Sequence, residues 1–99
     1  MTMDERFFPE VLQVVPGEHY SLYAYFNDGT VRLYDAAALV ARGGVFHPLA
    51  DKAVFDAALT VMNGTAAWDL DGTRDPRKCI DIDPFDVYDA PVVRDPLEV

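Results

Sequence analysis

Residues able to do chemistry are few in this chain, and their spacing limits each of them. Asp81 and Asp83 alternate with Ile80 and Ile82, so on a strand both carboxylates would leave one side, where a pair can hold a divalent cation or share acid and base roles. The same alternation describes a half-buried strand whose polar side meets water, and that is the reading adopted. Asp69, Asp71 and Asp75 resemble a calcium loop only loosely, because Gly72 comes two places too early and no glutamate closes a twelve-residue loop. His19 and His47 are far apart, with no second ligand at helical or hairpin spacing. Ser21 is the single serine and lacks the strand-to-helix elbow that exposes a hydrolytic nucleophile. Cys79, within an apolar segment, reads as a small core residue rather than half of a Cys–His nucleophile, and a lone cysteine forms no internal disulfide. Gly43-Gly44 is followed by no lysine-serine or lysine-threonine pair, so no phosphate loop is present. The expectation is a protein that is not an enzyme, with no catalytic residue, no metal site and no cofactor.

With 99 residues, 51% of them hydrophobic, the chain suits one domain over 1–99, with an ordered core at about 9–88 and a loose tail over 89–99. Binding on a surface or in a shallow groove is expected at this size. Seventeen acidic residues against eight basic ones leave a net charge of −9. Arg6, Arg32, Arg42 and Lys52 are scattered, and the cluster Arg74, Arg77, Lys78 lies among five aspartates. A nucleic-acid backbone would be repelled, so this chain alone is not expected to bind one. The charge favours solubility first and a basic protein partner second. No apolar run approaches the roughly 20 residues needed to span a bilayer. Asp4, Glu5 and Arg6 do not read as a secretory leader, so a cytoplasmic protein is expected.

The elements that would position these residues are short. Val11–Val15, between Pro9 and Pro16-Gly17, reads as a first strand. His19–Phe26 and Thr30–Asp35 flank Asn27-Asp28-Gly29, a hairpin signal. A two-residue Asp28-Gly29 loop would set Phe26 opposite Val31 and Tyr23 opposite Tyr34. Leu22, Ala24, Phe26, Val31 and Leu33 then share a core face, and Tyr23, Tyr25, Arg32 and Tyr34 share the other. Three tyrosines beside an arginine suit a protein interface, either with a foreign partner or with a second copy across a two-fold axis. Asp35 stands at an N-cap position before Ala36–Arg42, a helix ended by Gly43-Gly44. Phe46, Leu49 and Phe55 anchor a compact loop, and Asp51 caps at most one helical turn through Phe55. Ala57–Val61 and Thr65–Trp68 flank Asn63-Gly64 as a second hairpin. Cys79–Ile82 is a short β-like segment ended by Pro84. Beyond Tyr88, Pro91 and Pro96 argue against further regular structure, although Val92 and Val93 can dock. The fold class expected is α+β: a small curled antiparallel sheet with two β-hairpins and one or two short helices.

Pro9, Val11, Val14, Tyr20, Leu22 and Phe26, then Asp28-Gly29 and Asp35, resemble the bacterial family catalogued as domain of unknown function 2442. Gly44, Phe46, Leu49, Asp51 and Phe55 look like that family's middle segment, and Trp68 like its late tryptophan, so residues 9–88 are covered. The departure is the longer acidic stretch from Asp69 to Pro84. The resemblance implies a small α+β domain with no established activity; some relatives carry a separate helix-turn-helix, and others resemble antitoxin halves of two-gene modules. The shared positions are turn glycines, core aromatics and capping aspartates, so no catalytic residue carries over.

The leading expectation is therefore a non-catalytic module that binds a protein partner through Tyr23, Tyr25, Arg32 and Tyr34, in its concrete form the acidic, antitoxin-like member of a two-gene bacterial module. The alternative is a small-ligand-binding or regulatory domain with a groove near Trp68, Asp81 and Asp83, Trp68 otherwise being a core anchor.

Overall fold

The computed structural model describes residues 7–98; Asp4, Glu5 and Arg6 lie outside the described residues. Among the described residues seven strands form two antiparallel sheets, with short helices between and beside them, so the fold is α+β. The first sheet holds β1 (Val11–Pro16), β2 (Ser21–Phe26), β3 (Val31–Asp35) and β7 (Val92–Val93), in the order β1-β2-β3-β7. The second holds β4 (Leu59–Met62), β5 (Thr65–Trp68) and β6 (Ile80–Asp81), in sequence order. Between them in the chain come α1 (Ala37–Arg42), a 3-10 segment over Gly44–Ala50 and α2 (Lys52–Ala58), while α3 (Pro84–Tyr88) precedes β7.

The turns form where their residues allow it. At the second hairpin Met62 faces Thr65, leaving Asn63 and Gly64 as a two-residue loop with φ of 59° and 74°, the double left-handed turn that matches the twist of paired strands. The first hairpin differs from the expected two-residue loop. Phe26 N–H donates to the Thr30 carbonyl and Gly29 N–H to the Phe26 carbonyl, so Asn27, Asp28 and Gly29 form a three-residue loop with Gly29 at φ 88°. Asp28 fixes this loop by accepting from the Thr30 N–H at 2.9 Å and the Thr30 hydroxyl at 2.6 Å.

That extra loop residue slips the register by one and turns β3 over. Leu22 faces Tyr34, Tyr23 faces Leu33, Ala24 faces Arg32 and Tyr25 faces Val31. The inner face therefore carries Leu22, Ala24 and Phe26 with Arg32 and Tyr34, and the outer face carries Tyr23 and Tyr25 with Val31 and Leu33. The expected four-residue surface of Tyr23, Tyr25, Arg32 and Tyr34 is split between two sides of the sheet.

At Gly29 the cost of a side chain is conformational, since nothing lies within 4 Å of where a Cβ would stand. Gly29→Val is expected to lose about 1–2 kcal/mol from left-handed strain, whereas Asp81→Ala, at an exposed position, should stay within about 0.5 kcal/mol. Thermal melts of the two variants compare them directly, and an unchanged melting temperature for Gly29→Val would contradict the loop geometry.

One core joins the sheets. Val11, Leu22, Ala24 and Phe26 of the first sheet pack with Ala66 and Trp68 of β5, Val40 of α1, Leu49, Phe55 of α2, Ile82 and Val87 of α3. The Val11 N–H donates to the Gly64 carbonyl at 2.9 Å and ties β1 to the second hairpin. Two capping aspartates start helices: Asp51 accepts from the Ala53 N–H and Asp83 from the Phe85 N–H. α2 runs three residues past Phe55, where the single turn was expected to end, so Ala57 and Ala58, expected in the next strand, are helical and β4 begins at Leu59. Asp35 accepts from the Ala37 N–H at 2.9 Å, one position outside the N-cap of α1, which is Ala36.

Beyond Pro84 the chain is more regular than expected. Asp83-Pro84 is a cap followed by proline at the first helical position, a start signal, and it opens α3 rather than merely ending a strand. Val92 and Val93 then pair with Arg32 and Val31, so part of the 89–99 segment is a fourth strand. Pro91 does not prevent this, because a proline at the end of an edge strand needs no ladder partner for its nitrogen.

Candidate functional site

An open groove of about 590 Å³ lies where β3 outruns β7, lined by Leu33, Tyr34 and Asp35 of β3, Glu18 and His19 of the β1–β2 connection, Ser21 at the start of β2, and Asp86, Asp89, Ala90 and Pro91 in and just after α3. Each wall has a local cause. The β1–β2 connection is a tight turn closed by Gly17 N–H on the Ser21 carbonyl and Ser21 N–H and hydroxyl on the Glu18 carbonyl, with His19 at φ 54°. The opposite wall is held by Arg32. Its guanidinium lies 3.9 Å from the Tyr88 ring centroid, and its Nη1 donates to the carbonyls of Tyr88 at 2.6 Å and Ala90 at 3.2 Å. A cation on the last carbonyls of a helix is favourable, and here it draws the end of α3 against β3. Tyr88 is steadied further by its hydroxyl on Asp28 at 2.7 Å and by an edge-on contact with Phe26, centroids 5.1 Å apart.

The floor of the groove is apolar, from Leu33, Ala90, Pro91 and the ring of Tyr34, and its rim is acidic. Glu18, Asp35, Asp86 and Asp89 are all exposed. Among the described residues the ion pairs are Lys52–Asp56 and Arg77–Asp75, and neither involves a rim carboxylate. Burial raises the pKa of the Tyr34 phenol above its ordinary value, and Asp86 and Asp35 push the same way while Arg42 opposes them. The field at the groove is thus negative, and a cation is what it would favour.

Of the residues expected at a partner surface, only Tyr34 lines this groove. Arg32 stands behind its wall as a brace. Tyr23 and Tyr25 sit half-buried on the far side of the sheet, where the Tyr25 hydroxyl donates to Asp95 at 2.5 Å. Burial first, then that hydrogen bond and the Asp95 charge, push the Tyr25 phenol up to about 12. The C-terminal segment thus covers part of the aromatic face on which an interface was expected.

The expected ligand groove does not assemble. Trp68 is 0% exposed and packs against Phe55, ring centroids 5.3 Å apart. Asp81 accepts from Asn63 Nδ2 at 3.0 Å, and Asp83 is spent capping α3. β5 pairs Trp68 with Ile80 and Ala67 with Asp81, so Trp68 and Asp81 leave opposite faces of the sheet. A smaller groove of about 350 Å³ runs beside Asp69, Leu70, Asp71 and Gly72 against Val54, Ala57 and Ala58, and none of the three expected residues lines it.

The acidic stretch that first suggested a cation site is committed to its own turns. Asp71 accepts from the Thr73 N–H and hydroxyl, Asp69 from the Arg74 N–H, and Asp75 from the Arg77 N–H. The loop they shape folds back over the second hairpin, with Arg74 donating to Thr60 Oγ1 and the Val61 carbonyl. Cys79 is half-buried, and burial raises the pKa of its thiol. Among the described residues no three His, Cys, Asp or Glu side chains converge to hold a metal ion, and no helix is long and apolar enough to cross a membrane.

Sequence reasoning missed Glu18, Asp35, Asp86 and Asp89 as a set. Nothing in their spacing signals it, because the docking of α3 and β7 beside β3 is what brings them together. No protein-family model matches the chain, and neither the curated proteins nor the solved structures contain a match to it.

Proposed function

We propose that this chain is a non-catalytic binding module that receives a basic segment of a protein partner in the groove at the end of β3. The supporting observation is the combination of an apolar floor with four exposed rim carboxylates that, among the described residues, form no ion pair with a lysine or arginine. Apolar contact supplies affinity, while rim charges steer association and select the sign of the partner. A second copy of the chain is a poor occupant, since both molecules carry a charge of −9. An acidic, antitoxin-like member of a two-gene module is the form of this reading that the family resemblance implies.

The test is titration of the protein with a blocked peptide of alternating lysine and valine. Binding should weaken as salt shortens the range of the rim charges. It should also fall about tenfold, equivalent to about 1.4 kcal/mol, in the double variant Glu18→Gln, Asp89→Asn, with little change in melting temperature. Equal affinity in wild type and double variant would reject the groove as the site.

A further inference from the structure

The groove also exposes the end of a strand. The β2–β3 ladder is bounded by Phe26 N–H on the Thr30 carbonyl and Ala36 N–H on the Tyr20 carbonyl. By the alternation of an antiparallel pair, Arg32 and Tyr34 exchange their bonds with β2, and Val31, Leu33 and Asp35 direct their backbone groups outward. Val31 meets Val93 of β7, and Leu33 N–H donates to the Pro91 carbonyl at 3.0 Å. Pro91 has no N–H to return, so β7 gives the Leu33 carbonyl no donor. The Asp35 N–H lies past the end of β7 altogether. An acceptor and a donor thus stand either side of Tyr34 on the line that β7 leaves, beside the apolar floor.

We infer that the partner segment enters as a short added strand. A single extended residue laid beside Tyr34 donates its N–H to the Leu33 carbonyl and accepts the Asp35 N–H at its own carbonyl, the two-bond unit of a parallel ladder. Its neighbours carry lysine or arginine side chains to the rim carboxylates, and an apolar side chain meets the floor. Backbone pairing supplies affinity and alternate side chains supply selectivity, as in other strand additions. The occupant is a cationic, extended peptide segment, not a helix. This mode rests on the groove being the site for a basic segment, and the experiment separates the two.

The probe is the blocked lysine-valine peptide, made also as a series methylated at one backbone nitrogen at a time. Strand addition predicts one position at which methylation weakens binding at least about tenfold, equivalent to about 1.4 kcal/mol, the others being tolerated. It also predicts that bound peptide slows hydrogen exchange at the Asp35 amide. If methylation is tolerated everywhere and the Asp35 amide exchanges as before, while binding still falls in the Glu18→Gln, Asp89→Asn variant, the strand mode is overturned and the groove reading stands. If the unmethylated peptide does not bind, both are overturned.

Discussion

Trp68→Ala is expected to cost about 3–5 kcal/mol, the range for truncating a large aromatic in a closed core, against a total stability of about 5–15 kcal/mol for a small domain. Trp68 is the largest fully buried side chain, and it stands where β5, α2 and β6 meet, against Phe55 and on the same sheet face as Ile80. For a chain of this size each kcal/mol lowers the melting temperature by roughly 4–8 °C, so the variant should be unfolded or close to it at physiological temperature. Trp68→Phe is the informative companion. Among the described residues nothing accepts from the buried Trp68 Nε1, and an orphaned buried donor costs about 1–3 kcal/mol. Phenylalanine removes that donor while keeping much of the ring, so its loss should be far smaller than that of alanine. Melting curves for the two variants decide the matter. A Trp68→Ala protein that melts like wild type would overturn the core-anchor reading of Trp68 and favour the alternative, a groove beside it.

Arg32→Ala should cost about 2 kcal/mol and abolish peptide binding as well. The guanidinium donates to two carbonyls at the end of α3, to Thr30 Oγ1 at 3.2 Å, and stacks on Tyr88. Hydrogen bonds to a charged group contribute about 1.5–3 kcal/mol and a cation over an aromatic ring about 0.5–2 kcal/mol, discounted here because Arg32 is only half-buried. Arg32→Lys should not restore the loss, since an ammonium cannot stack on the ring and reach both carbonyls together. The acid limb adds a separate readout. Burial raises the Asp28 carboxyl, but hydrogen bonds from Thr30 and Tyr88, with a smaller contribution from the Arg32 charge, outweigh it and hold the carboxyl at about 2. Its folded pKa lies below the ordinary 3.8, so its stabilisation is present above about pH 4 and is lost as pH falls towards 2. Without Arg32 the folded pKa moves back towards 3.8, so that loss should be smaller and should be complete at a higher pH. Denaturant titrations from pH 2 to pH 7 measure both effects. An Arg32→Ala protein with wild-type stability and an unshifted acid limb would show that α3 needs no brace.

Several features were legible in the sequence because they depend on neighbours in the chain. Asn63-Gly64 adopts left-handed angles whatever surrounds it, Asp51 caps its own helix, and Gly43 takes the positive φ that ends α1. Alternating apolar residues were enough to mark β2, and the Asn63-Gly64 turn between two β-rich runs was enough to mark the second hairpin. Asp83-Pro84 was equally local, and α3 could have been read from it. Other features had no local signature. Asn27-Asp28-Gly29 is compatible with a two- or a three-residue loop; the three-residue loop sends Arg32 to α3 and sets Val31 against Val93, contacts whose partners lie some sixty residues away. That one-residue difference decided which side every β3 side chain faces, and so dissolved the expected tyrosine–arginine surface. The groove likewise exists only because α3 docks beside β3 and Pro91 ends the ladder early, which leaves rim carboxylates from three separate segments around one unpaired strand end. Composition set the acidic sign of the molecule; packing decided where that sign surrounds an apolar floor.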